Sequence, residues 1–124
     1  MQRNTRQREA IRQVLRESGR PLSTQEVLEA AQKRVPGLGI ATVYRTLHGL
    51  LEERQITVVE LPGETPRYEL AGKHHHHHFR CTVCGRVFEI ENCPGNLERL
   101  APPGFLAERH EIVLYGRCPG CPAG

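Results

Sequence analysis

The sequence predicts an α+β chain in two parts, a winged helix-turn-helix over residues 1–72 and a small, ligand-rich αβ unit over residues 73–124. Three observations carry that expectation. Three segments with helical apolar periodicity precede two short strand-like segments in the first part. Two Cys-x-x-Cys pairs, Cys81/Cys84 and Cys118/Cys121, bracket the second. Five consecutive histidines, His74 to His78, stand at the junction, with only Phe79 and Arg80 between them and Cys81.

In Thr5 to Ser18, Ile11, Val14 and Leu15 recur at i, i+3 and i+4 and make one apolar face. Gly19-Arg20-Pro21 stops that helix. Ser23 is a good N-cap for the next, and Glu26 three residues on completes a capping box. The second helix turns Val27, Leu28 and Ala31 inward and ends before Pro36-Gly37. A third runs from about Ala41 to Glu53, with Val43, Leu47, Leu50 and Leu51 facing the core. Ile56 to Leu61 and Arg67 to Leu70 are two strands joined by the turn-rich Pro62-Gly63-Glu64-Thr65-Pro66. Three short helices followed by a β-hairpin is the winged-helix layout.

In the second part, Phe79 to Thr82, Arg86 to Ile90 and Glu111 to Tyr115 are strand candidates. A short helix is expected around Asn96 to Leu100, halted by Pro102-Pro103-Gly104. The apolar residues here are too few for a large core. A structural metal and dimerisation would both compensate.

Four thiolates in two Cys-x-x-Cys pairs can close a tetrahedral shell around one zinc and leave no position open. Disulfides in a secreted domain are the competing explanation. The polar, basic start MQRNTRQREAIRQVL has no apolar signal segment, the cysteine count of 5 is odd, and the spacing suits a metal better. A zinc held by Cys81, Cys84, Cys118 and Cys121 in a cytoplasmic protein is therefore expected. The histidine run is not a purification tag by position, because tags are usually terminal and this run is internal. Its imidazoles are surplus to the four-cysteine site and imply at least one further metal. Every one of the 14 acidic residues is Glu, so any carboxylate ligand must be Glu.

The net charge is only +3, but residues 1–20 carry six arginines against Glu9 and Glu17. Such a segment suggests a polyanionic partner, although a solvated helix face explains it too. No apolar stretch is long enough to span a bilayer. On the third helix, Thr42, Tyr44, Arg45 and Thr46 lie largely off the apolar face near the N-terminus. That is the part of a recognition helix that reaches base edges. Arginine can bond guanine bidentately, and a tyrosine ring can pack on thymine methyl groups. Taken alone, Tyr44 reads more readily as a half-buried aromatic capping the core, and Arg45 reads evenly either way.

The stretches TRQREAI, ATVYRTL, RYEL, HHHHHFRCTVCGRVFEIE and HEIVLYGRCPGC span nearly the whole chain in order. This pattern resembles the ferric uptake regulator family of bacterial metal-responsive repressors. The resemblance implies an N-terminal winged-helix DNA-binding domain and a C-terminal αβ dimerisation domain. It also implies a homodimer that binds a palindromic double-stranded operator when a regulatory metal is bound. Tyr44 and Arg45 match the family's base-contacting pair. Thr42, Arg3 and Arg6 complete the expected DNA contacts.

Cys81, Cys84, Cys118 and Cys121 match the family's structural zinc site. If the histidine run is a strand, alternate side chains point to opposite faces. His76 and His78 then match the hinge site between the domains, with Glu69 and Glu89. His75 and His77 match the dimerisation-domain site, with Glu98 and His110. Glu60 is a further hinge-site candidate, His74 a solvated loop residue, and His48 a helix-surface polar residue. Cys93 can be a small buried residue, an oxidisable thiol or an unconventional ligand. Two departures from the family pattern bear on the metal. Pro21 stands where many members have a hinge histidine, and Ala71-Gly72-Lys73 stands where zinc-sensing members often have a cysteine. The first weighs against an iron or peroxide sensor of the usual kind. Zinc is favoured over ferrous iron or manganese as the regulatory metal, although affinity order alone does not choose among them.

The implied mechanism is a clamp: metal bonded from both domains fixes the spacing of two recognition helices, and metal and DNA affinities then enhance each other. A zinc metalloenzyme is the rival class, since a His/Glu zinc with an open position activates water. It needs a substrate cleft and a general base, for which the sequence offers no dedicated segment. No small-molecule substrate is expected.

Overall fold

The computed structural model describes residues 2–122, with side chains from Thr5 onward. These residues form two compact units that divide between Lys73 and His74. The fold is α+β.

The first unit runs α1 (Gln2–Ser18), β1 (Leu22–Ser23), α2 (Thr24–Ala31), α3 (Ile40–Glu52), β2 (Ile56–Val59) and β3 (Arg67–Leu70). Helix α1 ends where Gly19 adopts a φ of +65°, a conformation that costs glycine little. Helix α2 begins with the expected capping box. Ser23 Oγ accepts the Glu26 N–H at 3.2 Å, and Glu26 Oε1 accepts the Ser23 N–H at 3.0 Å. Burial works against the Glu26 charge, but the Ser23 N–H and the Arg20 guanidinium outweigh it and hold the carboxyl below its ordinary range. Ile11, Val27, Val43, Leu47 and Leu50 are wholly or almost wholly buried where the three helices meet. Each such side chain is worth roughly 1.5–3 kcal/mol of burial.

The sheet of this unit has the order β1-β3-β2, antiparallel throughout. Strand β3 pairs Ile56 to Val59 on one side and Leu22–Ser23 on the other. The two-residue strand β1 was not expected, because two residues carry no period. Strand β2 stops at Val59 rather than Leu61, and the turn-rich connection takes up the difference.

The second unit runs β4 (His77–Cys81), β5 (Val87–Ile90), a 3-10 helix (Leu97–Leu100) and β6 (Val113–Gly116). Its sheet has the order β5-β4-β6, with β4 antiparallel to β5 and parallel to β6. The helix expected around Asn96 is a single 3-10 turn, entered through Asn96 at a φ of 51° and followed by Pro102-Pro103. Strand β4 starts two residues earlier than expected, so it takes in His77 and His78. Strand β6 starts two residues later, at Val113.

Among the described residues of this unit, only His77, Cys81, Val87 and Cys118 are buried. Three of these four side chains carry soft or borderline donor atoms. The interior of the unit is thus a set of ligands rather than an apolar core. Leu100, Phe105, Leu106, Leu114 and Tyr115 are all exposed. No helix among the described residues is long and apolar enough to cross a membrane.

Candidate metal centres and nucleic-acid interface

Two tight turns bring the four paired cysteines together. In the first, the Gly85 N–H donates to the Cys81 carbonyl at 3.0 Å, with Gly85 at a φ of +78°. In the second, the Cys121 N–H donates to the Cys118 carbonyl at 3.1 Å. Strand β6 carries the second turn to the first, and the Thr82 N–H donates to the Gly116 carbonyl at 2.7 Å. The sulfurs of Cys81 and Cys121 are 3.6 Å apart, those of Cys118 and Cys121 3.6 Å, and those of Cys84 and Cys118 3.8 Å. A tetrahedron of Zn–S bonds near 2.3 Å has edges of about 3.8 Å. The donor set fits zinc in number, chemistry and spacing.

Backbone hydrogen bonding prepares these thiols. The Cys84 N–H and the Cys118 N–H each lie 3.4 Å from Cys81 Sγ. These donors, led by that of Cys84, lower the Cys81 thiol to about 5. Cys121 goes the other way: hydrogen bonding with the Cys118 thiol raises it to about 12. Four crowded sulfurs that share protons in this way are a set in which a divalent cation replaces the protons.

A second group joins His75, His77, Cys93 and His110, whose donor atoms all lie within 4.8 Å of one another. His75 Nε2 is 3.2 Å from His110 Nε2, and Cys93 Sγ is 3.1 Å from the same atom. The His77 ring is held by the Ile112 N–H, 3.1 Å from its Nδ1, and its buried Nε2 has no hydrogen-bond partner among the described residues. Burial first, then the neighbouring imidazoles, lowers its pKa and favours the neutral ring. Glu98 does not belong to this group, contrary to the sequence expectation. It is exposed on the 3-10 helix, and Cys93, in the irregular stretch after β5, supplies the fourth donor. The only signal for this in the sequence was the soft sulfur itself, since no spacing rule pointed to it.

His76 and His78 lie together on the other side of the run, with ring centroids 4.9 Å apart. The division expected of a strand is therefore present, although only His77 and His78 are in β4. His76 Nδ1 donates to the His74 carbonyl at 2.7 Å, which leaves the Nε2 lone pair as the ligand atom. Glu89 on β5 is the register partner of His78, and its Oε1 is 3.7 Å from His76 Nε2. In the first unit, Glu69 is buried on β3 with Lys73 Nζ 3.7 Å from its Oε2. Glu60 is exposed after β2, Pro21 is buried, and His74 is exposed.

On α3, Val43, Leu47 and Leu50 point inward while Tyr44, at 57% exposure, stands in solvent. It does not cap the core. Arg45 is also exposed, and its Nη2 donates to Thr42 Oγ1 at 3.1 Å. His48 is exposed on the same helix. Part of the basic charge of α1 is matched within the unit: Arg8 pairs with Glu53, and Arg12 Nη1 is 3.5 Å from Glu9 Oε2. Arg20, beyond the helix, is 3.0 Å from Glu26. Arg6 is exposed on α1. The side chain of Arg3 lies outside the described residues.

Comparison with known proteins adds the family context. The profile of the ferric uptake regulator family matches residues 2–115. The ferric uptake regulation protein of Campylobacter jejuni is 36% identical over 124 residues, which cover 94% of this chain and 78% of that protein. A structure of the Helicobacter pylori ferric uptake regulator, described as having three functional metal binding sites, superposes with a TM-score of 0.71 at 31% identity. That match covers 93% of this chain and 79% of the other. A zinc-bound manganese uptake regulator superposes with a TM-score of 0.81 at 28% identity, covering 90% of this chain and 87% of its own.

Proposed function

The chain belongs to the ferric uptake regulator family of metal-responsive transcriptional regulators, which are not enzymes, and on that premise we propose that it is a zinc-dependent repressor acting in the cytoplasm. It binds a palindromic double-stranded operator as a homodimer when zinc occupies a regulatory site made by Glu69, His76, His78 and Glu89. A separate structural zinc is held by Cys81, Cys84, Cys118 and Cys121.

The observation that carries this reading is the segregation of one histidine run into two donor groups. His75 and His77 gather with Cys93 and His110, while His76 and His78 gather on the side of Glu89. A run that only buffers metal has no need of such a division. The membership of Glu69 rests on the family resemblance, and its buried carboxylate on the last wing strand supports it. A metal bonded to Glu69 and to the histidines couples the DNA-binding unit to the rest of the chain. It favours one spacing of the two recognition helices in the dimer, and two half-sites on DNA favour the same spacing. Each ligand then raises the affinity of the other by the same factor.

The exposed Tyr44 and Arg45 support base readout by α3, with Thr42 holding the Arg45 guanidinium. Exposed Phe105, Leu106, Leu114 and Tyr115 support a dimer, since β6 is an edge strand that bears two of them. Zinc is supported by the absence of a histidine at Pro21 and by the imidazole-rich donor set, which suits a borderline ion. Ferrous iron is the second reading, favoured by the names of the C. jejuni and H. pylori relatives.

Metal-stripped protein, reloaded only at the cysteine site, is titrated with zinc, manganese or ferrous iron against the DNA upstream of its own operon. Zinc is expected to switch on specific binding at the lowest free concentration. Activation by ferrous iron alone contradicts the zinc assignment, and binding that ignores all three metals contradicts the regulator.

A further inference from the structure

We propose that Lys73 is the internal counter-ion of Glu69 in the metal-free protein and that zinc displaces its ammonium group, so that Lys73 sets the zinc concentration at which the regulatory site fills. The inference rests on the proposed assignment of Glu69 to that site and names a residue that tunes it.

The backbone builds the contact. Glu69 lies on β3 opposite Thr57 of β2 and is only 5% exposed. Lys73 follows four residues later. An uninterrupted strand would set the two Cα atoms about 13 Å apart. Instead β3 ends at Leu70, the Ala71 N–H donates to the Gln55 carbonyl at 3.0 Å, and Gly72 turns the chain at a φ of +85°. Only glycine takes up that conformation at little cost. Beyond this turn Lys73 Nζ stands 3.7 Å from Glu69 Oε2.

Charge explains what the contact does. A carboxylate taken out of water is costly unless positive charge or hydrogen-bond donors face it. The Glu69 side chain is 6% exposed and that of Lys73 29%, so the acid is inside and the base reaches it from the surface. Lysine suits such a post, because its compact charge rides on a flexible four-carbon stem that can swing into water. Zinc at Glu69 brings two positive charges to the same carboxylate. The ammonium then faces a cation where it had faced an anion. Lys73 therefore stabilises the metal-free state and opposes the metal-bound one. Both effects raise the free zinc that the site needs.

The test uses the full chain with zinc kept at the paired cysteines. Zinc affinity is read by competition with a chromophoric chelator, without DNA. Lys73→Met keeps the length of the side chain and removes its charge, and it is expected to tighten zinc binding about three- to tenfold. Lys73→Arg, which keeps the charge, should stay near the parent. In a Glu69→Gln background, Lys73→Met should lose most of its effect, because the carboxylate it answers is gone. Unchanged or weaker zinc binding in Lys73→Met, with Glu69→Gln still weakening it, overturns the proposal alone. Zinc affinity indifferent to Glu69→Gln overturns the assignment beneath it as well. A second measurement needs no variant. The chain has two lysines, Lys33 and Lys73, and Lys33 is exposed. Acetylation by a succinimidyl ester, read by peptide mass, should speed up severalfold at Lys73 relative to Lys33 when zinc is added. A Lys73 rate indifferent to zinc overturns the proposal even if Lys73→Met fails to fold.

Discussion

Glu89 Oε1 stands 3.7 Å from Nε2 of His76. The His76 ring gives its Nδ1 proton to the His74 carbonyl, so in the neutral ring Nε2 is a lone pair facing a carboxylate. Two acceptors at that separation call for a proton or a metal cation between them. Glu89→Gln keeps the shape and removes the charge. It is expected to raise the free zinc needed for half-maximal DNA binding by about 10–100-fold, the range typical of lost metal-site partners. Fluorescence anisotropy on labelled operator DNA reads this directly. An unchanged zinc requirement would remove Glu89 from the site.

The paired cysteines carry a different expectation. Cys81→Ser or Cys118→Ser breaks the four-sulfur set, and at such sites metal-binding energy is folding energy. Each variant should lose one zinc per subunit by atomic absorption and lose the folded dimer in sedimentation. A dimer with an unchanged melting temperature contradicts the assignment.

Readout by α3 separates base contacts from phosphate contacts. Arg45→Ala should weaken specific binding by about 1–3 kcal/mol and relax discrimination between operator and random DNA. Arg6→Ala should weaken both DNAs alike and flatten the salt dependence. Competition titrations at two salt concentrations distinguish them. An equal loss on both DNAs for Arg45→Ala would make it a backbone contact.

These expectations differ in how far the sequence alone supported them. The faces of α1, α2 and α3 were legible because apolar residues repeat with helical period, and Ser23 with Glu26 announced the second helix. The four paired cysteines were legible because zinc demands a donor count and a local spacing that few other functions require. Strand β1 was not legible, since Leu22–Ser23 is defined by its partners on β3 rather than by its own pattern. Without the family resemblance the pattern of α3 favoured a core-capping Tyr44, and its exposure removes that reading. Cys93 and Glu98 show the limit most plainly. Both follow β5 within nine residues of Ile90, and the path of an irregular crossover decides which one meets His110. No periodicity governs such a path.

The capping box of α2 allows a test confined to the first unit. Ser23→Ala leaves the Glu26 N–H without its side-chain acceptor and should destabilise the protein by about 1 kcal/mol. Zinc content should stay the same. The Glu26 carboxyl is held below its ordinary value of 4.5, so the unfolded chain takes up its proton first as pH falls. Its stabilisation is thus present above that value and fades below it. Thermal melts of Glu26→Gln against the parent should converge on acidification and separate toward neutrality. A constant gap would show that the pairing contributes nothing through charge.

Whether one histidine run serves two sites with different duties is decided by operator affinity as a function of free zinc. The measurement compares His76→Ala/His78→Ala with His75→Ala/His77→Ala, each with its zinc content per subunit. The first variant should lose zinc-activated binding while keeping the cysteine-bound zinc and the dimer. The second should lose stability and one other zinc, yet respond to zinc once folded. Indistinguishable losses in the two variants would mean that the run is a single chelating loop, and the two-site assignment would fail.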